Sequence, residues 1–183
     1  MKKKIRCILI LAFLFALTVG SLAFAEDGWD GFVDTSWYEA GKKTLHIADE
    51  ADLAGLAAIV NGTAAVQDDF CGKTVILDND LNLNNQEWMP VGVVAVIVNN
   101  DNAVFRAADS KGFAGTFDGG GHVIYNLKIS GEKSGVGLFG FISGGAVKNL
   151  TVRGSVAGGY FCGGLAGVCG GEISDVNNEA DVY

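Results

Sequence analysis

The chain has 183 residues, 27 of them glycine and a single proline, and its 21 acidic residues against 13 basic ones give a formal net charge of −8. A charge of that sign repels nucleic-acid phosphates and anionic lipid and argues against both as partners. The length is that of one domain.

In chain order, residues 1–25, "MKKKIRCILILAFLFALTVGSLAFA", join four basic residues to an apolar run and end on Ala23-Phe24-Ala25 before an acidic pair. That is the pattern of a secretory signal peptide with an A-x-A cleavage site. The mature chain is expected to start at Glu26 and to be secreted or displayed at a cell surface. No later segment is long and apolar enough for membrane insertion after signal cleavage. Residues 26–44 form a lead-in.

Cys7 leaves with the signal, and Cys71, Cys162 and Cys169 remain, an odd number for an exported chain. No C-x-x-C spacing occurs and neither His46 nor His122 has a second ligand nearby in sequence, so no zinc site and no other cofactor is expected. The cysteines read as buried packing residues first and as a Cys162–Cys169 disulfide second.

The stretch "DEADLAGLAAIVNG" predicts a helix over 49–61. Leu53, Leu56, Ala57 and Val60 form one apolar face, Asp49, Glu50 and Asp52 occupy the first turn, and Asn61-Gly62 is the stop. Its place before the repeats suits a lid on the first coil of a solenoid.

Further on, "SGVGLFG" carries the G-x-G-x-x-G spacing of a dinucleotide-binding turn at Gly135, Gly137 and Gly140. The fingerprint requires a helix after its third glycine, and Gly144-Gly145 would break one. The glycines belong instead to a repeat. Ile124, Val147 and Ile173 align at steps of 23 and 26 residues, together with Asn126, Asn149 and Asp175 and with Leu127, Leu150 and Val176. The element Gly137-Leu138-Phe139-Gly140 returns as Gly164-Leu165-Ala166-Gly167. A period of this size marks a solenoid. The apolar spacing suits a strand that bends once, at Asn126, Asn149 and Asp175, residues that tolerate left-handed backbone and can hydrogen-bond along a stack. Glycines are expected to supply the other turns.

On "LHIADEADLAGLAAIVNG", "GKTVILDNDLNLNNQEWMPVG", "FAGTFDGGGHVIYNLKI", "GVGLFGFISGGAVKNLTVRGSV" and "CGGLAGVCGGEISDVNNEADV", the chain resembles secreted bacterial proteins with GLUG-motif repeats. The resemblance implies an all-β fold, a right-handed parallel β-helix of the pectin-lyase-like kind spanning residues 45–183. It would carry one N-terminal amphipathic capping helix and GLUG-type repeats over 113–183. Residues 93–111 depart from the pattern as an extra loop or strand suited to individual binding specificity. Asn178 stands where the last repeat calls for an apolar residue.

β-Helices of this shape include polysaccharide lyases and glycosidases, which need paired carboxylates or an acid with a basic partner. The acidic candidates are Asp78 and Asp80, expected outward on one strand face, and Asp118 before a glycine run, where Asp is first a turn residue. Nothing basic accompanies them in sequence, so no catalytic residue is assigned. A flat threonine ladder for ice also fails, because Thr151 has no threonine counterpart in the third repeat.

The expected function is a non-catalytic β-solenoid module, an adhesin-like or binding scaffold for a host or cell-surface glycan or protein. The alternatives are a carbohydrate-active enzyme or an accessory domain of a secreted peptidase. Because the chain stops inside a repeat, it is expected to continue into a longer protein or to self-associate end to end.

Overall fold

The computed structural model describes residues 28–99 and 102–183, so the expected signal peptide, residues 1–25, lies outside the described residues. Strand β1 (Thr44–Ile47) leads into helix α1 (Glu50–Asn61), then β2 (Thr74–Leu77), β3 (Leu81–Asn82), β4 (Val96–Asn99) and β5 (Asn102–Phe105). After these come β6 (Thr116–Asp118), β7 (Val123–Ile129), β8 (Phe139–Ile142), β9 (Ala146–Val156), β10 (Ala166–Cys169) and β11 (Glu172–Val182). Among the described residues the fold is all-β around one α-helix. Every pairing between these strands is parallel except the β4–β5 hairpin.

The parallel strands form three ladders. In the first, β1, β2, β6, the start of β9 and the start of β11 lie side by side. The second runs from β3 through β7 to the end of β9 and β11, and the third pairs β8 with β10. Register in the first ladder places Leu45, Val75, Phe117, Val147 and Ile173 in one column. The first four are buried, whereas Ile173, in the last strand, is 44% exposed. The second ladder stacks Leu81, Ile124 and Val152 in the same way, all buried. Between the ladders, Phe70, Phe113, Phe139 and Phe117 form a chain of ring contacts with centroids 5.8, 5.6 and 5.5 Å apart. Burying each such side chain contributes roughly 1.5–3 kcal/mol.

Helix α1 begins and ends as its sequence dictates. The Asp49 carboxylate caps the Asp52 N–H, and Gly62 closes the C-terminus in the left-handed conformation. The single apolar face, however, is corrected. Leu53, Leu56, Ala57 and Val60 are buried, but so are Ala54 and Ile59. The reason is the lead-in, which crosses the outer side of the helix: Asp34 donates its N–H to the Ala51 carbonyl at 3.0 Å, and a Cβ at Gly55 would lie 1.7 Å from the Asp34 oxygen. The lead-in is pinned further on, where Tyr38 and Lys73 both bond the Asp68 carboxylate. The helix is also tied to the chain at both ends. Its start is tied to β3 by Glu50, which accepts from the Asn82 N–H, and its end to residues 90–92 by Asn61, which donates to the Pro90 carbonyl and accepts from the Gly92 N–H.

The repeat register is corrected as well. Ile173 pairs with Val147 and Val176 with Leu150, as the step of 26 requires, but Val147 pairs with Phe117, and Ile124 pairs with Val152. Asn126, Asn149 and Asp175 all adopt left-handed backbone, with φ of 58°, 53° and 52°. They do not form one ladder: Asn149 and Asp175 share a corner, and Asn126 donates to Asn82 at 2.9 Å around a different bend. The physical cause is Gly119–Gly121, which turns the corner below Asn149 with three residues where Asn149 and Asp175 each use one.

The GLFG and GLAG elements do stack, with Leu138 N–H donating to the Gly164 carbonyl and Phe139 N–H to that of Leu165. Their glycines serve proximity rather than turning: Gly137, Gly140, Gly164 and Gly167 are absent from the left-handed region, and a Cβ at Gly140 would lie 2.3 Å from the Gly92 carbonyl oxygen. The cysteines are also corrected. Cys71 and Cys169 are exposed, Cys162 is half-buried and opposite Val136, and all three are free thiols. Cys71 and Cys169 lie in or beside turns at the edge of the strands, where no core reaches them.

Gly140→Ala is therefore expected to destabilise the protein by about 1–3 kcal/mol through overpacking. Gly144→Ala, where an added Cβ meets nothing within 4 Å, should stay within about 0.5 kcal/mol of the parent. Urea unfolding curves of the two variants check the contrast.

Candidate functional site

Stacking brings charged residues together along the bend that follows the first ladder. Asp78 and Asp80 do not lie on a strand face as expected. They sit in the turn between β2 and β3: the Asp78 N–H makes the last bond of the ladder, to the Ile47 carbonyl, and the chain bends from there to Leu81. Each meets a histidine from another strand level. The His46 Nδ1 lies 2.8 Å from Asp78 Oδ1, and the His122 Nδ1 lies 3.0 Å from Asp80 Oδ1. Asp80 Oδ1 also accepts from the Val123 N–H at 3.0 Å.

Asp118 ends β6 at the same bend. Its Oδ1 accepts from Asn149 Nδ2 at 2.9 Å and from the Gly120 N–H, and its Oδ2 pairs with Lys148 Nζ at 3.2 Å. Lys148 is the direct register partner of Asp118 on β9. One bend further, Arg153 Nε bonds Glu179 Oε2 at 2.6 Å, and Arg153 also lies within electrostatic reach of Asp80. Asp118, Gly120, Gly121, Asn149, Leu150, Thr151 and Asp175 line an open cleft of about 520 Å³. The sequence-derived residues Asn149, Asp175 and Asp118 thus converge on one cleft, while Asn126, Asp78 and Asp80 lie outside it.

The electrostatics define what these groups can do. The Val123 N–H, followed by His122, holds the Asp80 carboxyl below its ordinary range. Asn149 does the same for Asp118, aided by the Gly120 N–H and Lys148. Both are ionised at neutral pH and have no proton to give, so neither suits the general acid that glycosidic cleavage needs. Burial does push one carboxyl up, that of Asp52, but its oxygens take the Ala48 N–H at the start of α1. The bend is instead a polar surface of paired charges, on which His122, Lys148 and Arg153 are each half-exposed beside a carboxylate. Among the described residues no three His, Cys, Asp or Glu side chains group as metal ligands.

Sequence reading missed His46, His122, Lys148, Arg153 and Glu179 because their partners lie 26 to 42 residues away. Aligning Phe117 with Val147 would have set Asp118 beside Lys148 and exposed the first of these pairs.

No family model and no solved structure matches the chain. Among curated proteins it is 31% identical over 160 residues, 84% of this chain, to Halomucin of Haloquadratum walsbyi. The chain spans about 2% of the length of that protein. No helix among the described residues is long and apolar enough to cross a membrane.

Because the folded-state pKa of Asp80 is depressed, its pairing stabilises the protein above the ordinary Asp value of about 3.9 and is lost as pH falls through the depressed one. Stability should therefore be flat at neutral pH and decline on acidification. Asp80→Asn should lower stability at pH 7 and flatten that decline, as urea midpoints at pH 7 and pH 3 will show.

Proposed function

We propose that the chain is a non-catalytic binding module of an exported bacterial protein, a right-handed parallel β-helix of the GLUG-repeat kind used as an adhesive or display scaffold. The observation that carries this reading is the strand-by-strand register of β9 on β11 and of GLFG on GLAG, which supports a coil of repeating sequence. Solenoids of this sort offer long, regular outer faces. Residues 1–25 carry the export signal in this reading, and display is secreted or at the cell surface. The likeness to 2% of Halomucin supports use as one module within a much longer chain.

The ligand in this reading is a surface glycan or protein met at the bend of Asp118, Lys148, His122 and Arg153. Exposed paired charges and amide side chains suit hydroxyl-rich, uncharged sugars better than polyanions, given the net charge of −8.

The test is a panel of neutral and acidic polysaccharides, with and without calcium, scored for retention of the protein and for release of reducing ends or unsaturated products. Retention without products is expected, and Arg153→Ala should weaken it about tenfold, as for loss of a charged hydrogen bond. Product release that disappears in Asp80→Asn or Asp118→Asn would establish the carbohydrate-active alternative instead.

A further inference from the structure

A second recess, which shares no lining residue with the charged cleft, lies between α1, residues 29–33 and the segment Trp88-Met89. We propose that it is a binding site for a small uncharged apolar molecule, an aromatic or branched hydrocarbon. The walls are Ala54, Ala57 and Ala58 of the helix, the edge-to-face pair Trp29 and Trp88 with ring centroids 5.5 Å apart, and Met89 at the mouth.

Three observations fix the chemistry. The first is size: the recess holds about 290 Å³, close to the lower bound of about 300 Å³ for small-molecule sites and well above the 150 Å³ of an engineered apolar cavity that takes benzene. The second is the state of its polar atoms. Trp29 Nε1 donates to the Phe32 carbonyl at 2.6 Å, Trp88 Nε1 to the Leu138 carbonyl at 3.0 Å and Thr63 Oγ1 to the Ala58 carbonyl at 3.3 Å. Every lining side-chain donor is already used, so a sugar or ion entering here would lose its hydration without compensation. The third is its construction. Alanines on the side of α1 that faces the lead-in leave open a space that leucines there would fill, while Met89, 61% exposed, provides a flexible thioether at the entrance. The site is independent of the function proposed for the charged bend.

The test uses bromobenzene, a heavy-atom quencher of indole emission, titrated into the purified protein. Two of the three tryptophans line the recess, and the third, Trp37, stacks on Phe70 outside it and gives the unquenched baseline. Quenching that saturates at a partial value is expected. Ala58→Leu, at a partly exposed wall position, should weaken the saturating phase by about tenfold by occupying the contact volume. Should Ala58→Leu fail to fold, Val33→Phe tests the same point from the opposite wall, where the native side chain is 46% exposed. Quenching that stays linear in the parent, or saturates identically in a folded filled variant, would overturn the proposal.

Discussion

An apolar side chain resting directly over its counterpart in the next parallel strand is the contact on which this protein is built. Parallel strands lie about 4.8 Å apart, so a column such as Val75, Phe117 and Val147 is in continuous van der Waals contact only when every strand keeps the same register. A slip of one residue would turn each column outward. The bends protect that register. Where one residue turns the chain it is Asn149 or Asp175 in the left-handed conformation, and where more chain must be absorbed a glycine run does so.

The same register decides where charge falls. A bend repeated at each level collects its side chains into a line along the stack, and a line of carboxylates alone would repel itself. Here acids alternate with cations or amides taken from neighbouring levels, so that Asp118 has Lys148 and Asn149 and Glu179 has Arg153. Exposed pairs of this kind contribute at most about 1 kcal/mol each. Their larger effect is specificity of stacking, since a shifted level would place like charges together.

Much of this was legible in the residues. The caps of α1, the stacking of GLFG on GLAG and the left-handed corners at Asn126, Asn149 and Asp175 follow from local chemistry, and local chemistry is what a sequence displays. The register of the third level was not legible, because matching Asn126 to Asn149 rewards identity, whereas the backbone counts a corner of three glycines as equivalent to one asparagine. The histidine–aspartate pairs escaped for a related reason: they exist only after stacking, and nothing local marks them. The lead-in looked featureless because its work is done by backbone atoms, such as the Asp34 carbonyl against Gly55, and by aromatic side chains, Trp29, Trp37 and Tyr38, that follow no period in the sequence.

The hairpin of β4 and β5 is closed at its base by a reciprocal pair of backbone hydrogen bonds between Val93 and Lys111, at 2.7 and 2.9 Å, and anchored by Phe105 against Phe141. The ladder resumes on either side of it, Val91 bridging to Phe139 and Phe113 to Ile142, so the register is set without the residues between. The stem thus separates two rates of evolution. Strands of the ladders must change in concert with their neighbours, while the hairpin answers only to its base and to the Phe105–Phe141 contact and can diversify elsewhere. In a lineage of such proteins, variation should concentrate there, and a foreign peptide grafted onto the stem would be carried outward on a scaffold indifferent to its sequence.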